Sequence, residues 1–171
     1  EDLARIESVS MDMWGPYIAA TKAAVPAAES KFAFDKFHVA QNLGNAVDQV
    51  RRQEHRILKD AGNATLAKTR NLWLTQPDHL KLESREKLDQ LTQKALKTSR
   101  AWMLKELAME MWTSRDPEEA REIFSAWYSW AIRSRLEPMK RVARMLMRHL
   151  QGVLNAIALG VTNARLEGIN N

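Results

Sequence analysis

Strand-like patterning in this chain is confined to its start, and everything after it repeats with the period of a helix. In Ile6-Glu7-Ser8-Val9-Ser10-Met11-Asp12, Val9 and Met11 alternate with polar residues, the signature of a short strand ending at Asp12. Trp14-Gly15-Pro16 breaks it. Pro16 suits the first turn of a helix, and the alanine-rich stretch from Tyr17 to Ala24 continues one until Pro26 closes it. Lys31-Phe32-Ala33-Phe34-Asp35 is a second strand, with Phe32 and Phe34 on one face. A strand-helix-strand order predicts a parallel pair with the helix crossing over between them.

From His38 onward the pattern is helical throughout. Val39, Leu43, Ala46, Val47 and Val50 recur at three- and four-residue steps, one apolar stripe in a helix running to Leu58 and ended by Gly62-Asn63. Pro77-Asp78 and Leu82-Glu83-Ser84 punctuate the next stretch, before a charged helix from Arg85 to Leu96. Trp102, Leu104, Leu107, Met111 and Trp112 mark another. Asp116-Pro117-Glu118-Glu119 combines an N-cap, a proline at the first helical position and an acid three residues after the cap. Phe124, Trp127, Tyr128 and Ala131 follow on one face. Pro138 opens a long helix aligning Val142, Leu146, Leu150, Val153 and Ile157, which Gly160 stops, and Asn163 caps a last helix holding Glu167. Two strands do not make an independent sheet. The fold expected is therefore mainly α with a small α/β part, either a helical protein with a minor ribbon or a piece of a larger sheet whose other strands lie upstream.

Composition narrows the chemistry. With 171 residues, 45% hydrophobic and 27% charged, the chain has the balance of a soluble globular domain. The absence of cysteine excludes disulfide frameworks, Cys-ligated zinc and thiol catalysis, and fits a reducing cytoplasm. No apolar run reaches membrane-spanning length, and Glu1-Asp2-Leu3-Ala4-Arg5 does not resemble a signal peptide. Phosphate loops of the Gly-Lys-Ser/Thr kind, dinucleotide glycine fingerprints and nucleophile elbows are missing from the sequence, which disfavours ATPases, Rossmann dehydrogenases and common serine hydrolases. The net charge of +5 permits a polyanionic partner without requiring one. Its distribution is uneven: Arg133, Arg135, Lys140, Arg141, Arg144 and Arg148 face only Glu137, and the next acid is Glu167.

Asp12 stands where a strand ends, the place α/β proteins put ligand-binding groups, or else it caps the helix that opens near Pro16. Asp35 and His38 follow the second strand. Asp35 either caps the helix of His38 or belongs to a site with it, and His38 would orient a carboxylate or meet a phosphate. Lys140, Arg141, Arg144 and Arg148 share one side of their helix, either as a solvated face or as a stripe for DNA phosphates. The six tryptophans, spaced with Leu and Met, read as packing residues more than base-stacking ones, and the eight methionines as core fillers. His55, His79 and His149 lack metal-ligand spacing and read as surface or packing residues.

Three segments in order resemble the bacterial insertion-sequence transposases of the ISL-three family. Val9-Ser10-Met11-Asp12-Met13-Trp14-Gly15-Pro16-Tyr17-Ile18 resembles the segment around that family's second catalytic aspartate. Phe34-Asp35-Lys36-Phe37-His38-Val39 is similar to its Asp-x-x-His element, and Thr162-Asn163-Ala164-Arg165-Leu166-Glu167-Gly168-Ile169-Asn170-Asn171 to the segment bearing its catalytic glutamate. The resemblance implies an Asp-Asp-Glu transposase with a ribonuclease-H-like core, of which this chain holds the C-terminal portion, interrupted by a large all-helical insertion. Residues 1–40 would then be partial core, 41–160 the insertion, and 161–171 the start of the glutamate-bearing helix. It implies Asp12 and Glu167 as catalytic metal ligands for Mg²⁺ or Mn²⁺, with Asp35 and His38 supporting them and Lys140, Arg141, Arg144 and Arg148 contacting DNA. The partners implied are transposon ends and target DNA, with homo-oligomers and no membrane, in a bacterial cytoplasm at the nucleoid. The family's first catalytic aspartate would lie upstream of Glu1, so the chain by itself is expected to be inactive. The competing expectation is a non-catalytic helical module for DNA binding, regulation or oligomerisation.

Overall fold

The computed structural model describes residues 3–160. After a 3-10 turn at Leu3–Arg5, β1 (Val9–Met11) pairs in parallel with β2 (Phe32–Phe34), in the register Val9↔Phe32, Ser10↔Ala33, Met11↔Phe34. The crossover is α1 (Gly15–Ala24), with a proline in its first turn, followed by the single turn α2 (Ala28–Lys31). Between them Pro26 ends the first helix, and Ala27 takes a left-handed φ of 54° that a residue with a Cβ seldom adopts. All three residues of β2 are buried, whereas β1 is half-buried. The parallel pair expected from the sequence is present.

The rest is helix: α3 (Lys36–Asp60), α4 (Arg70–Leu74), a 3-10 turn at Pro77–His79, α5 (Leu82–Thr92), α6 (Lys97–Met109) prolonged by a 3-10 turn at Glu110–Trp112, α7 (Pro117–Arg133), α8 (Glu137–Arg148) and α9 (Leu150–Leu159). Helix α3 is the axis of the molecule. Its buried stripe of Val39, Leu43, Ala46, Val47 and Val50 meets α4, α6 and α8. Each valine or leucine among them taken from water contributes roughly 1.5–3 kcal/mol before the entropy of ordering is charged against it. One continuous hydrophobic cluster runs from Val25 and the β2 phenylalanines through α3 to Ile157 of α9, so strands and helices share a core.

Two boundaries depart from the sequence expectation. The charged helix begins at Leu82 and stops at Thr92, short of Leu96. The start of the next helix sets that limit: Glu54 of α3 accepts hydrogen bonds from Lys97 N (2.8 Å), Thr98 N (2.7 Å) and Thr98 Oγ1 (2.7 Å). It caps α6 from another helix, where the local N-cap, Leu96, has no side-chain acceptor to offer. Secondly, the single helix expected after Pro138 is two helices, divided at His149. The turn lets α9 leave the line of α8 and lie on β2. A Cβ at Gly152 would collide with the Phe34 ring, so the glycine permits the close approach. Asn155 Nδ2 then donates to Ser30 O (3.0 Å) and Phe32 O (2.9 Å), tying α9 to the strand backbone.

Packing accounts for four of the tryptophans and fails for two. Trp73 and Trp127 are buried, the latter donating its indole N–H to Leu104 O at 2.7 Å, and Trp102 and Trp112 lie partly buried against the core. Trp14 and Trp130 are exposed.

Candidate active site

Continuing the strand register by one residue sets Asp12 beside Asp35, both at the carboxyl ends of a parallel pair. Such ends are where open α/β sheets place ligands. The two aspartates do different things there. Asp12 is not a cap: the N-cap position of α1 is Trp14, which makes no side-chain capping bond. Its side chain is 41% exposed, with Oδ1 3.9 Å from His38 Nδ1. That distance exceeds a hydrogen bond, so the pair are electrostatic neighbours and the carboxylate stays available to a ligand. Asp35 is 3% exposed and caps α3, accepting from Phe37 N at 3.2 Å. The capping alternative thus describes its geometry. Buried there, it holds the turn that carries His38.

His38 sits in the first turn of α3, 25 residues long, whose N-terminal partial positive charge faces the same strand end. A carboxylate, an imidazole and a helix N-terminus therefore converge on one exposed spot. Around it stand three exposed aromatic side chains that the sequence reading passed over: Trp14 (52%), Tyr17 (55%) and Phe37 (63%). Trp14 and Tyr17 meet edge to face with ring centroids 4.6 Å apart, and Phe37 meets His38 at 5.6 Å. Their signal in the sequence is position: all three flank the Asp12 and His38 motifs and none belongs to an apolar stripe.

The basic set lies elsewhere and is partly engaged. Glu137 takes Lys140 at 3.0 Å and Arg144 at 3.2 Å, and these hydrogen bonds hold its carboxyl below the usual carboxylate range. Arg141 donates to Gln49 of α3 at 2.8 Å. Gln49 is three helical turns beyond His38, or roughly 16 Å along the axis at the standard rise. Arg148 is exposed at the end of α8. The helix buries Met139, Val142, Ala143 and Leu146 and turns its basic side outward. Beside it, burial lowers the His149 pKa from its usual 6.5, helped by the cations of Arg148 and Lys22, and its ring packs edge-on against Phe34 at 5.2 Å.

As donors for a hard divalent cation, Asp12 offers carboxylate oxygens of the right kind. No group of three or more His, Cys, Asp or Glu able to hold a metal ion exists among the described residues. Glu167, the other carboxylate singled out from the sequence, lies outside them. His55, His79 and His149 are remote from Asp12 in sequence and do not join it in such a group. None of the described helices is long and apolar enough to cross a membrane.

Comparison with known proteins places the whole chain in one context. The profile of the ISL-three family of DDE-type transposases, described as "Transposase", matches residues 1–171. The "Transposase for insertion sequence element IS1001" of Bordetella parapertussis is 29% identical over 170 residues, which is 98% of this chain and 41% of that protein. The chain thus spans well under half the length of this relative. No solved structure matches it.

Proposed function

Since the chain belongs to the ISL-three transposase family, we propose that it supplies part of the active site of a DNA-cleaving and strand-joining enzyme of an insertion sequence. The observation that carries this reading is the convergence of Asp12, its side chain 41% exposed, and half-buried His38, 3.9 Å apart, at the carboxyl end of the parallel pair. In this proposal the two strands and the α1 crossover belong to a ribonuclease-H-like core. Residues 41–160 are a helical insertion in it, and the segment 161–171 carries Glu167. DNA, as transposon ends and target, is the substrate.

Each residue has a role that follows from its chemistry. Asp12 and Glu167 are the ligands for Mg²⁺ or Mn²⁺, oxygen donors of the type those ions prefer. Held there, such ions would supply the charge needed to activate a water or a 3′-hydroxyl and to stabilise the leaving oxygen at a phosphodiester. Asp35 holds the first turn of α3 rigid, which keeps the His38 ring beside Asp12. His38 orients that carboxylate or donates to a phosphate oxygen, and the N-terminus of α3 favours the anion. Arg141, Arg144, Arg148 and Lys140 contact the DNA backbone, which positions the duplex without reading sequence. The chain covers 41% of the length of its Bordetella relative, and activity in this proposal belongs to the longer protein.

The test is Mg²⁺- or Mn²⁺-dependent nicking of DNA by the full-length protein that carries this chain, beside Asp12→Ala and Glu167→Ala. The expected outcome is loss of cutting in each variant with an unchanged melting temperature. Cutting that survives either change removes that residue from the metal site. No cutting on any DNA would put the non-catalytic binding module ahead.

A further inference from the structure

Between Arg133 and Gly160 the chain carries a single carboxylate, Glu137, and it is set against the basic stripe of α8. Glu137 is the first residue of that helix. Its two oxygens are divided between two cations. Oε2 lies 3.0 Å from Lys140 Nζ, one turn along, and Oε1 accepts from Arg144 Nη1 at 3.2 Å. Arg144 is seven residues further on, roughly 10 Å along the axis at the standard rise, so its side chain runs back along the helix to reach the carboxylate. Among the described residues the other two members of the stripe meet no carboxylate: Arg141 donates to Gln49, and Arg148 makes no ion pair.

The fold has little need of this arrangement. The Glu137 side chain is 57% exposed and that of Arg144 47%, and ion pairs so open to water add little to stability. An acid in the first turn complements the helix dipole, but that requires no partner seven residues away. Hydrogen bonds from Lys140 and Arg144 hold the Glu137 carboxyl below the usual carboxylate range, so near neutral pH the two cations meet a full negative charge. A DNA phosphodiester likewise carries one negative charge over two free oxygens. Carboxylate and phosphate therefore compete for the same donors.

We propose that Glu137 is an internal stand-in for a DNA phosphate, masking Lys140 and Arg144 until a backbone phosphate displaces it. The inference rests on the transposase reading, in which α8 meets the DNA backbone. With Glu137 seated, the stripe offers arbitrary DNA only Arg141 and Arg148. Each cation withheld removes one phosphate contact and the counterion release that goes with it. DNA anchored elsewhere on the protein brings its phosphates to α8 at a high local concentration and exchanges them for the carboxylate. Glu137 is exposed, so it swings clear without disturbing the core. Capture of arbitrary DNA is weakened, while anchored DNA can claim the whole stripe.

The experiment follows the fluorescence anisotropy of a short labelled duplex of mixed sequence, titrated with the full-length protein that carries this chain at salt from about 50 to 200 mM. Glu137→Gln keeps the size of the side chain and removes its charge. It is expected to bind roughly 3- to 10-fold tighter at the low-salt end, with log K falling more steeply against log salt by about 1–2, near one for each freed cation. In a Lys140→Ala/Arg144→Ala background the same substitution should change affinity by less than about 2-fold, because nothing remains to be unmasked. Glu118→Gln removes an exposed carboxylate from α7 and should leave binding within about 2-fold, since distant charges are screened at these salt concentrations. Unchanged affinity for Glu137→Gln, an equal gain in the background lacking both cations, or an equal gain from Glu118→Gln overturns the mask. Failure of every form to bind the duplex overturns it as well. If Asp12-dependent cutting persists in any of these events, only this inference falls. Absence of metal-dependent cutting in every form of the protein removes the transposase reading itself.

Discussion

The helical body and the strand end treat their polar groups in opposite ways. In the body, charged and polar side chains are committed to structure. Glu54 caps α6 across a helix interface, Asp116 caps α7 by accepting from Glu118 N at 2.9 Å, and Asp48 gathers Arg51, Arg52 and Arg70. At the strand end Asp12 is exposed, its imidazole neighbour stands beyond hydrogen-bond distance, and three aromatic rings face solvent. Exposed apolar rings and an available carboxylate contribute little to folding, and they are what a substrate would need to find. The contrast separates residues that hold the molecule together from those positioned to act.

The contrast can be broken most directly in the body. Glu54→Ala leaves Lys97 N–H, Thr98 N–H and the Thr98 hydroxyl without their acceptor, and should cost about 2–4 kcal/mol in denaturant unfolding. Glu54→Gln keeps one carbonyl oxygen and should recover at least half of that loss. A change below about 0.5 kcal/mol for Glu54→Ala would show that the cap is dispensable and the distinction false. Asp12→Ala is the mirror case, with cleavage lost and stability kept.

A smaller effect is expected where the two regions meet. Gly152→Ala drives a methyl into the Phe34 ring, and should destabilise by about 1–3 kcal/mol while shifting α9 on β2. A neutral or stabilising result, read from thermal unfolding, would mean that Phe34 moves aside easily and that the strand is not clamped.

The smallest is a pH effect at the same junction. Burial holds the His149 pKa below its unfolded value near 6.5. As pH falls below that value, the unfolded chain takes up a proton that the folded one resists, so stability declines; above it the contribution is fully present. Melting curves from neutral to mildly acidic pH should show a shallower decline for His149→Gln than for the parent. Identical slopes would remove His149 from the account.

How much of this was legible in the sequence depended on how local the determinant is. The parallel pair, the Asp35 and Asp116 caps and the α3 stripe are encoded within a few residues, and the structure has them. The break at His149 was not legible, because the apolar period runs unchanged from Val142 to Ile157 and the cause is contact with Phe34, more than a hundred positions away. The Glu54 cap is hidden for the same reason, since nothing near Glu54 announces Lys97. At the site, Asp12 and His38 were found by strand-end position and by resemblance to a family. The rings around them were missed because tryptophans were read as packing, which fits Trp73 and Trp127 and fails for Trp14. Phe37 stands one residue from a named histidine and was still passed over.

The seating of α9 on β2 has a mechanical consequence. One strand serves as the datum for both the Asp35–His38 turn, which grows from its end, and Gly160, which closes the helix lying against it. Asn155 and the Gly152 contact set that spacing directly from strand to helix, while α9 also packs against α7 and α8. The spacing between the Asp35–His38 turn and the end of α9 at Gly160 is thus set by one short stretch of backbone.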